Sequence, residues 1–230
     1  MAEPRLEVRW AEGTTRAVAL FCHGGAAAGL EPPRERALSL VRMRAVEQFV
    51  AAAGADRGLT TCLLRYRLAG WNGDAADAFA DTRWALERIA EEHGDVPVVL
   101  VGHSMGGRAV LRAGGAAAVT AVCALAPWTP PGEPVEHLRD RTVAILHGRG
   151  DRWVPSTLSA HFAVRARRAG VPVARFTVAG GHSMVRRAHA WHAFARDVVL
   201  AGAGFAPLRP DVAAALRAGG TEGLAVPLAA

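Results

Sequence analysis

Apolar runs of strand length recur along this chain without the polar alternation of a half-exposed strand. Residues 17–22 read Ala-Val-Ala-Leu-Phe-Cys, 98–101 Val-Val-Leu-Val, 119–125 Val-Thr-Ala-Val-Cys-Ala-Leu and 142–147 Thr-Val-Ala-Ile-Leu-His. A strand with one face in water alternates apolar and polar residues, whereas a strand covered on both faces does not. Further strands are expected at 60–65 and 173–178. Segments with helical spacing lie between them, at about 38–53, 75–92, 105–113, 156–169 and 185–200. Asp74 stands as an N-cap for the second of these helices, and Gly94, Gly114 and Gly170 as stops. Only residues 5–10 alternate, which fits an edge strand. The alternation predicts an α/β fold: a mostly parallel central sheet with helices on both faces, and functional groups at the C-terminal ends of the strands.

The 230 residues suit one domain, expected over 1–201. Residues 202–230 are rich in Gly, Ala and Pro and read as a weakly specified tail with one short helix near 210–217. A hydrophobic content of 51% argues for a packed core rather than disorder. No apolar run reaches the roughly 20 residues of a membrane span. The N-terminus lacks a signal-like apolar core, so a cytoplasmic location is expected. The net charge is +6, and all 27 basic residues are arginine. They are scattered among acids without a basic tract or interleaved aromatics, so nucleic acid is not an expected partner. Cys22, Cys62 and Cys123 each fall in an expected strand and read as buried free thiols.

The chemistry concentrates where strands end. The run at 98–101 leads into Gly102-His103-Ser104-Met105-Gly106, a Gly-x-Ser-x-Gly pattern followed by a helix. A strand that reverses sharply into a helix strains its turn residue. Glycines two before and two after let the strand and helix approach. Ser104 would stand exposed, with the Met105 amide at a helix N-terminus that favours negative charge. A serine hydroxyl needs a base, and an imidazole needs a carboxylate to fix its tautomer. Of the nine histidines, only His182 follows a strand in a Gly-Gly loop. His23, His103 and His147 each adjoin a strand-end glycine and are expected to support their turns. Asp151, after Gly148-Arg149-Gly150, lies one strand–helix–strand unit before His182. Glu133, Glu136 and Asp140 compete with it from the preceding loop.

These residues resemble the α/β-hydrolase family. The likeness rests on the Gly-His-Ser-Met-Gly-Gly elbow at 102–107, the order Ser, Asp, His, and His-Gly-Gly after an early strand. His-Gly-x-Gly-Asp at 147–151 and Gly-Gly-His at 180–182 add to it. The resemblance implies Ser104 as nucleophile, His182 as base and Asp151 as orienting acid. It also implies an oxyanion hole from the amides of Met105 and Gly25, and neither a metal nor an organic cofactor. Family lids lie between the strands here expected to end near 125 and begin near 142. The connection from Ala126 to Arg141 is too short for a helical cap, as in capless proteins similar to dienelactone hydrolases and carboxylesterases. Trp71, Trp128 and Trp153 follow three strand ends. They are candidate walls of an apolar acyl pocket, or they pack over the edge of the sheet. The expected activity is hydrolysis of a small-molecule ester or acyl substrate. Thioesterase, lysophospholipase and peptidase chemistry would use the same residues, and a non-catalytic binding protein on this scaffold is the reading from outside catalysis.

Overall fold

The computed structural model describes residues 3–228. Its element order is β1 (Arg5–Arg9), β2 (Ala17–Cys22), α1 (Leu38–Gly54), β3 (Leu59–Arg65), α2 (Asp77–His93), β4 (Val98–His103) and α3 (Met105–Ala113). There follow β5 (Val119–Leu125), β6 (Thr142–Gly148), α4 (Ser156–Arg168), β7 (Val173–Val178), α5 (Ala188–Gly202), α6 (Pro210–Arg217) and β8 (Val226–Pro227). The sheet runs β1-β3-β2-β4-β5-β6-β7-β8. Among the described residues only β1 pairs antiparallel, on β3; every other pair is parallel.

The uniform apolar runs have the cause expected of them. In β2, Val18, Leu20 and Cys22 pack with α2, α3 and α4 on one face. Ala17, Ala19 and Phe21 pack with α1, α5 and α6 on the other. β1, at the edge, is covered less well: Leu6 and Glu7 are half-buried and Val8 is exposed. All three cysteines are free and buried, and burial pushes the Cys22 and Cys62 thiols up to about 12. No helix of the described residues is long and apolar enough to cross a membrane.

Two helix starts differ from the sequence expectation. Asp74 lies in a 3-10 turn over Gly73–Ala75, and α2 starts at Asp77 after Ala76 at φ +46°. The start is set by Asn72, whose amide donates to Asp77 (2.9 Å) and accepts from the Gly29 N–H (2.8 Å). Helix α5 begins at Ala188 rather than near 185. Residues 183–187 form turns with Met184 and Arg187 at positive φ. Beyond α5, the short helix α6 forms as expected. The two-residue strand β8, too short to show a period, adds to the sheet beside β7. The Ala126–Arg141 connection holds one 3-10 turn, Glu136–Leu138, and no inserted cap.

Candidate active site

Ser104 sits between β4 and α3 at φ +57°, ψ −117°, the strained turn its glycines allow. A Cβ on Gly102 would lie 2.3 Å from the Gly106 carbonyl oxygen, and one on Gly106 2.2 Å from that of Cys22. Side chains at either position would therefore push helix from sheet. The Ser104 N–H is taken by the Leu125 carbonyl (3.1 Å), which leaves its Oγ at the end of the sheet.

His182 and Asp151 converge on that oxygen. Ser104 Oγ–H donates to His182 Nε2 (2.8 Å), and His182 Nδ1–H donates to Asp151 Oδ2 (2.6 Å). This sequence of hydrogen bonds fixes the imidazole tautomer that a general base needs. Ser104 is 8% and His182 9% exposed, so both side chains are largely out of water. Asp151 Oδ1 accepts the amides of Trp153 and Val154 (2.9 Å each). Burial pushes its carboxyl up, but hydrogen bonds from His147, His182 and Val154 outweigh that effect and hold it well below the usual carboxylate range. The competing acids are elsewhere. Glu133 is buried between Arg108 and Arg112, whose Nε atoms donate to it at 2.5 and 2.6 Å. Glu136 and Asp140 are exposed.

The other strand-end histidines support their turns. His23 Nδ1–H donates to the Gly24 carbonyl (2.7 Å), and burial drives its pKa down to about 4. His103 Nε2–H donates to the His182 carbonyl (2.9 Å), its ring 4.7 Å from that of His182; burial drives it to about 3. His147 does more than support a turn. Its Nε2–H is shared between Asp151 Oδ2 (3.2 Å) and the Val154 carbonyl (3.0 Å), and its Nδ1 lies 2.8 Å from Ser159 Oγ. Arg175 of β7 donates from Nε to that same hydroxyl (2.9 Å). Its other nitrogens reach the carbonyls of Leu224 (3.1 Å) and Ser156 (2.9 Å). Arg175, Ser159 and His147 thus form a buried polar column behind the acid, tied to the C-terminal segment. Sequence reading passed over Ser159 and Arg175. A lone arginine inside an otherwise apolar strand was the signal that could have found them.

On the opposite side of Ser104 stand Gly25 and Met105. Their amides make no hydrogen bond among the described residues. They are neighbours, since a Cβ on Gly25 would fall 2.4 Å from Met105 Cε. The Trp71 N–H bonds the Ala26 carbonyl (2.9 Å) and the Trp128 N–H the Ser104 carbonyl (3.0 Å), so both tryptophans are tied to this side. Trp71 is buried edge-on to Trp128, with the Arg108 guanidinium 3.8 Å above it. Trp153 lies apart, 78% exposed, its ring 5.8 Å from that of His182. Among the described residues, no group of three His, Cys, Asp or Glu side chains is placed to hold a metal.

The triad geometry is that of a serine hydrolase. A family model described as the alpha/beta hydrolase fold matches residues 19–168. Comparison with curated protein sequences returns no match. Among solved structures, the chain is similar to Est1E from Butyrivibrio proteoclasticus, with TM-score 0.66 and 13% identity over 88% of this chain and 96% of that one. It is also similar to a thermophilic esterase, Est2, from Thermogutta terrifontis (0.64, 18%, 90% and 89%). A third is XC6422 from Xanthomonas campestris, described as an a/b serine hydrolase without lid (0.59, 16%, 90% and 91%). At these identities the likeness concerns the fold, while the family match covers more than half of the chain. The chain belongs to the α/β-hydrolase family, as a member with no lid over its serine.

Proposed function

We propose that the protein is a carboxylesterase that works through an acyl-enzyme on Ser104. The observation that carries this reading is the continuous chain from Ser104 Oγ through His182 to Asp151. His182 takes the Ser104 proton as Oγ adds to the ester carbonyl. The amides of Gly25 and Met105 receive the oxyanion; in support, both are unpaired among the described residues, Gly25 packs against the Met105 side chain, and the Met105 amide lies at the N-terminus of α3. Collapse of the adduct breaks the bond to the alcohol, which leaves with the proton from His182. Water then repeats the cycle on the acyl-enzyme. Trp128, backed by the buried Trp71, walls the acyl side, and Trp153 walls the side of the base. The esterase name of the Thermogutta terrifontis neighbour and the uncapped site favour small esters.

The test is labelling by a fluorophosphonate together with turnover of p-nitrophenyl esters and matched thioesters. Ser104→Ala is expected to lose the label and about 10⁶-fold in kcat. Retained turnover in that variant would remove Ser104 from the mechanism. Faster thioester than ester turnover in the wild type would replace the esterase reading with a thioesterase.

A further inference from the structure

The arginines of this chain fall into two populations. Arg65 is held by Glu7 and Glu35, and Arg108 with Arg112 by Glu133. By contrast Arg149, Arg152, Arg186 and Arg187 are exposed, and none makes a side-chain hydrogen bond or ion pair among the described residues. All four lie on the two loops that carry Asp151 and His182. The one acid on those loops, Asp151, has its side chain out of water and its oxygens committed to four donors. The outward charge at this rim is therefore positive.

These loops enclose a cleft of about 250 Å³ lined by Gly150, Arg152, Trp153, Gly181, His182 and Ser183. It offers an exposed indole face, a free guanidinium and glycines that leave it open. Proton bookkeeping decides which half of a substrate enters it. The carbonyl carbon bonds to Ser104 Oγ, and its oxyanion turns toward Gly25 and Met105. The proton that His182 removed from Ser104 must pass to the leaving oxygen, so that oxygen lies against His182 Nε2. Whatever the leaving oxygen carries extends into the cleft beside His182.

Resting on the esterase reading, we infer that the cleft between Trp153 and Gly181 is an alcohol subsite. It takes esters whose alcohol part is a flat apolar group bearing an anionic substituent, a carboxylate, sulfate or phosphate, read by Arg152. No new covalent step is involved. The Ser104–acyl bond forms, the acyl–oxygen bond breaks, the His182 proton goes to the leaving oxygen, and the anion keeps its charge throughout. Arg149, Arg186 and Arg187 add a long-range field that draws such esters in.

The test compares phenyl acetate, 4-acetoxybenzoate with its anion on the alcohol, and monophenyl succinate with its anion on the acyl part. Dividing each kcat/KM ratio in Arg152→Gln by that in the wild type cancels intrinsic leaving-group reactivity. The preference for 4-acetoxybenzoate over phenyl acetate is expected to fall about fivefold in Arg152→Gln, the size of an exposed charge contact. It is also expected to shrink in about 1 M salt, where screening acts within about 3 Å. The monophenyl succinate ratio is expected to hold. Arg168→Gln, the same charge change at the far end of α4, is expected to move neither ratio. An unmoved 4-acetoxybenzoate ratio, or an equal fall for monophenyl succinate, overturns the alcohol subsite while phenyl acetate turnover still stands for the esterase. Absence of Ser104-dependent phenyl acetate turnover overturns both.

Discussion

The two sides of Ser104 are built on different principles. On the side of the base, two short loops bring Asp151 and His182 together through side chains, and Asp151 accepts from two backbone amides and two imidazoles. On the other side stand the backbone amides of Gly25 and Met105, which make no hydrogen bond among the described residues and to which the proposed mechanism assigns the oxyanion. The side chains there hold the scaffold: Trp71 and Trp128 around Arg108, anchored by buried Glu133. Proton transfer needs a group of suitable proton affinity and so a particular residue. Holding an oxyanion needs only N–H groups at the right place, which almost any residue supplies. A site can therefore show one half of its mechanism in residue identity and keep the other half in geometry.

The sharpest way to break this comparison is at Asp151. Asp151→Asn keeps the shape and removes the charge and the acceptor that selects the His182 tautomer. It is expected to lower kcat about 10⁴-fold, measured on p-nitrophenyl butyrate, with circular dichroism unchanged. A loss under tenfold would shift the acid's role to another residue. On the opposite side, Gly25→Ala adds a Cβ 2.4 Å from both the Ala69 carbonyl and Met105 Cε. Displacing that amide is expected to lower kcat about 10²- to 10³-fold, with KM within about twofold. A rise in KM at constant kcat would make Gly25 a ground-state contact instead of an oxyanion donor.

The smallest expected effect weighs one buried histidine from each side. His103 belongs to the base side and His23 to the other, and burial lowers them to about 3 and about 4. Both folded values lie below the unfolded one of about 6.5, so the unfolded chain binds more protons in between. Their contribution to stability is complete above about pH 6.5 and is lost as pH falls toward 4. Asp151 continues the loss below that, because its folded carboxyl also titrates below its unfolded value. Urea unfolding at pH 7 and 4.5 is expected to show a drop on the order of 2 kcal/mol for each histidine. His23→Gln and His103→Gln should each flatten the slope by its own share. A slope unchanged by either variant would mean that these rings take up protons as readily in the folded chain as in the unfolded one.

Much of this site was legible before the structure because its residues follow strands. Ser104, Asp151 and His182 each stand where an apolar run gives way to glycine, and such ends share one edge of a parallel sheet. Glu133 looked like a rival acid because its loop also follows a strand. Nothing local shows that two arginines of α3 take up its carboxylate. The Arg175–Ser159–His147 column was hidden for a similar reason, since its members come from β7, α4 and β6 and meet only through packing. Strand β8 escaped notice because two residues carry no period.

The sequence alone determined the alternation of doubly covered strands with helices, the edge strand β1, the strained serine turn and the order of the triad. Those depend on side-chain period and on the backbone dihedrals of a few adjacent residues, which are short-range properties. Tertiary structure decided which carboxylate faces His182, which arginines are paired and which remain free at the rim. It also decided how the C-terminal segment joins the sheet. Those outcomes depend on distances between atoms far apart in the chain: the Asp151–His182 bond spans 31 residues and the Ser104–His182 bond 78. Hydrogen bonds and ion pairs act over a few ångströms, so only the packed fold sets their partners.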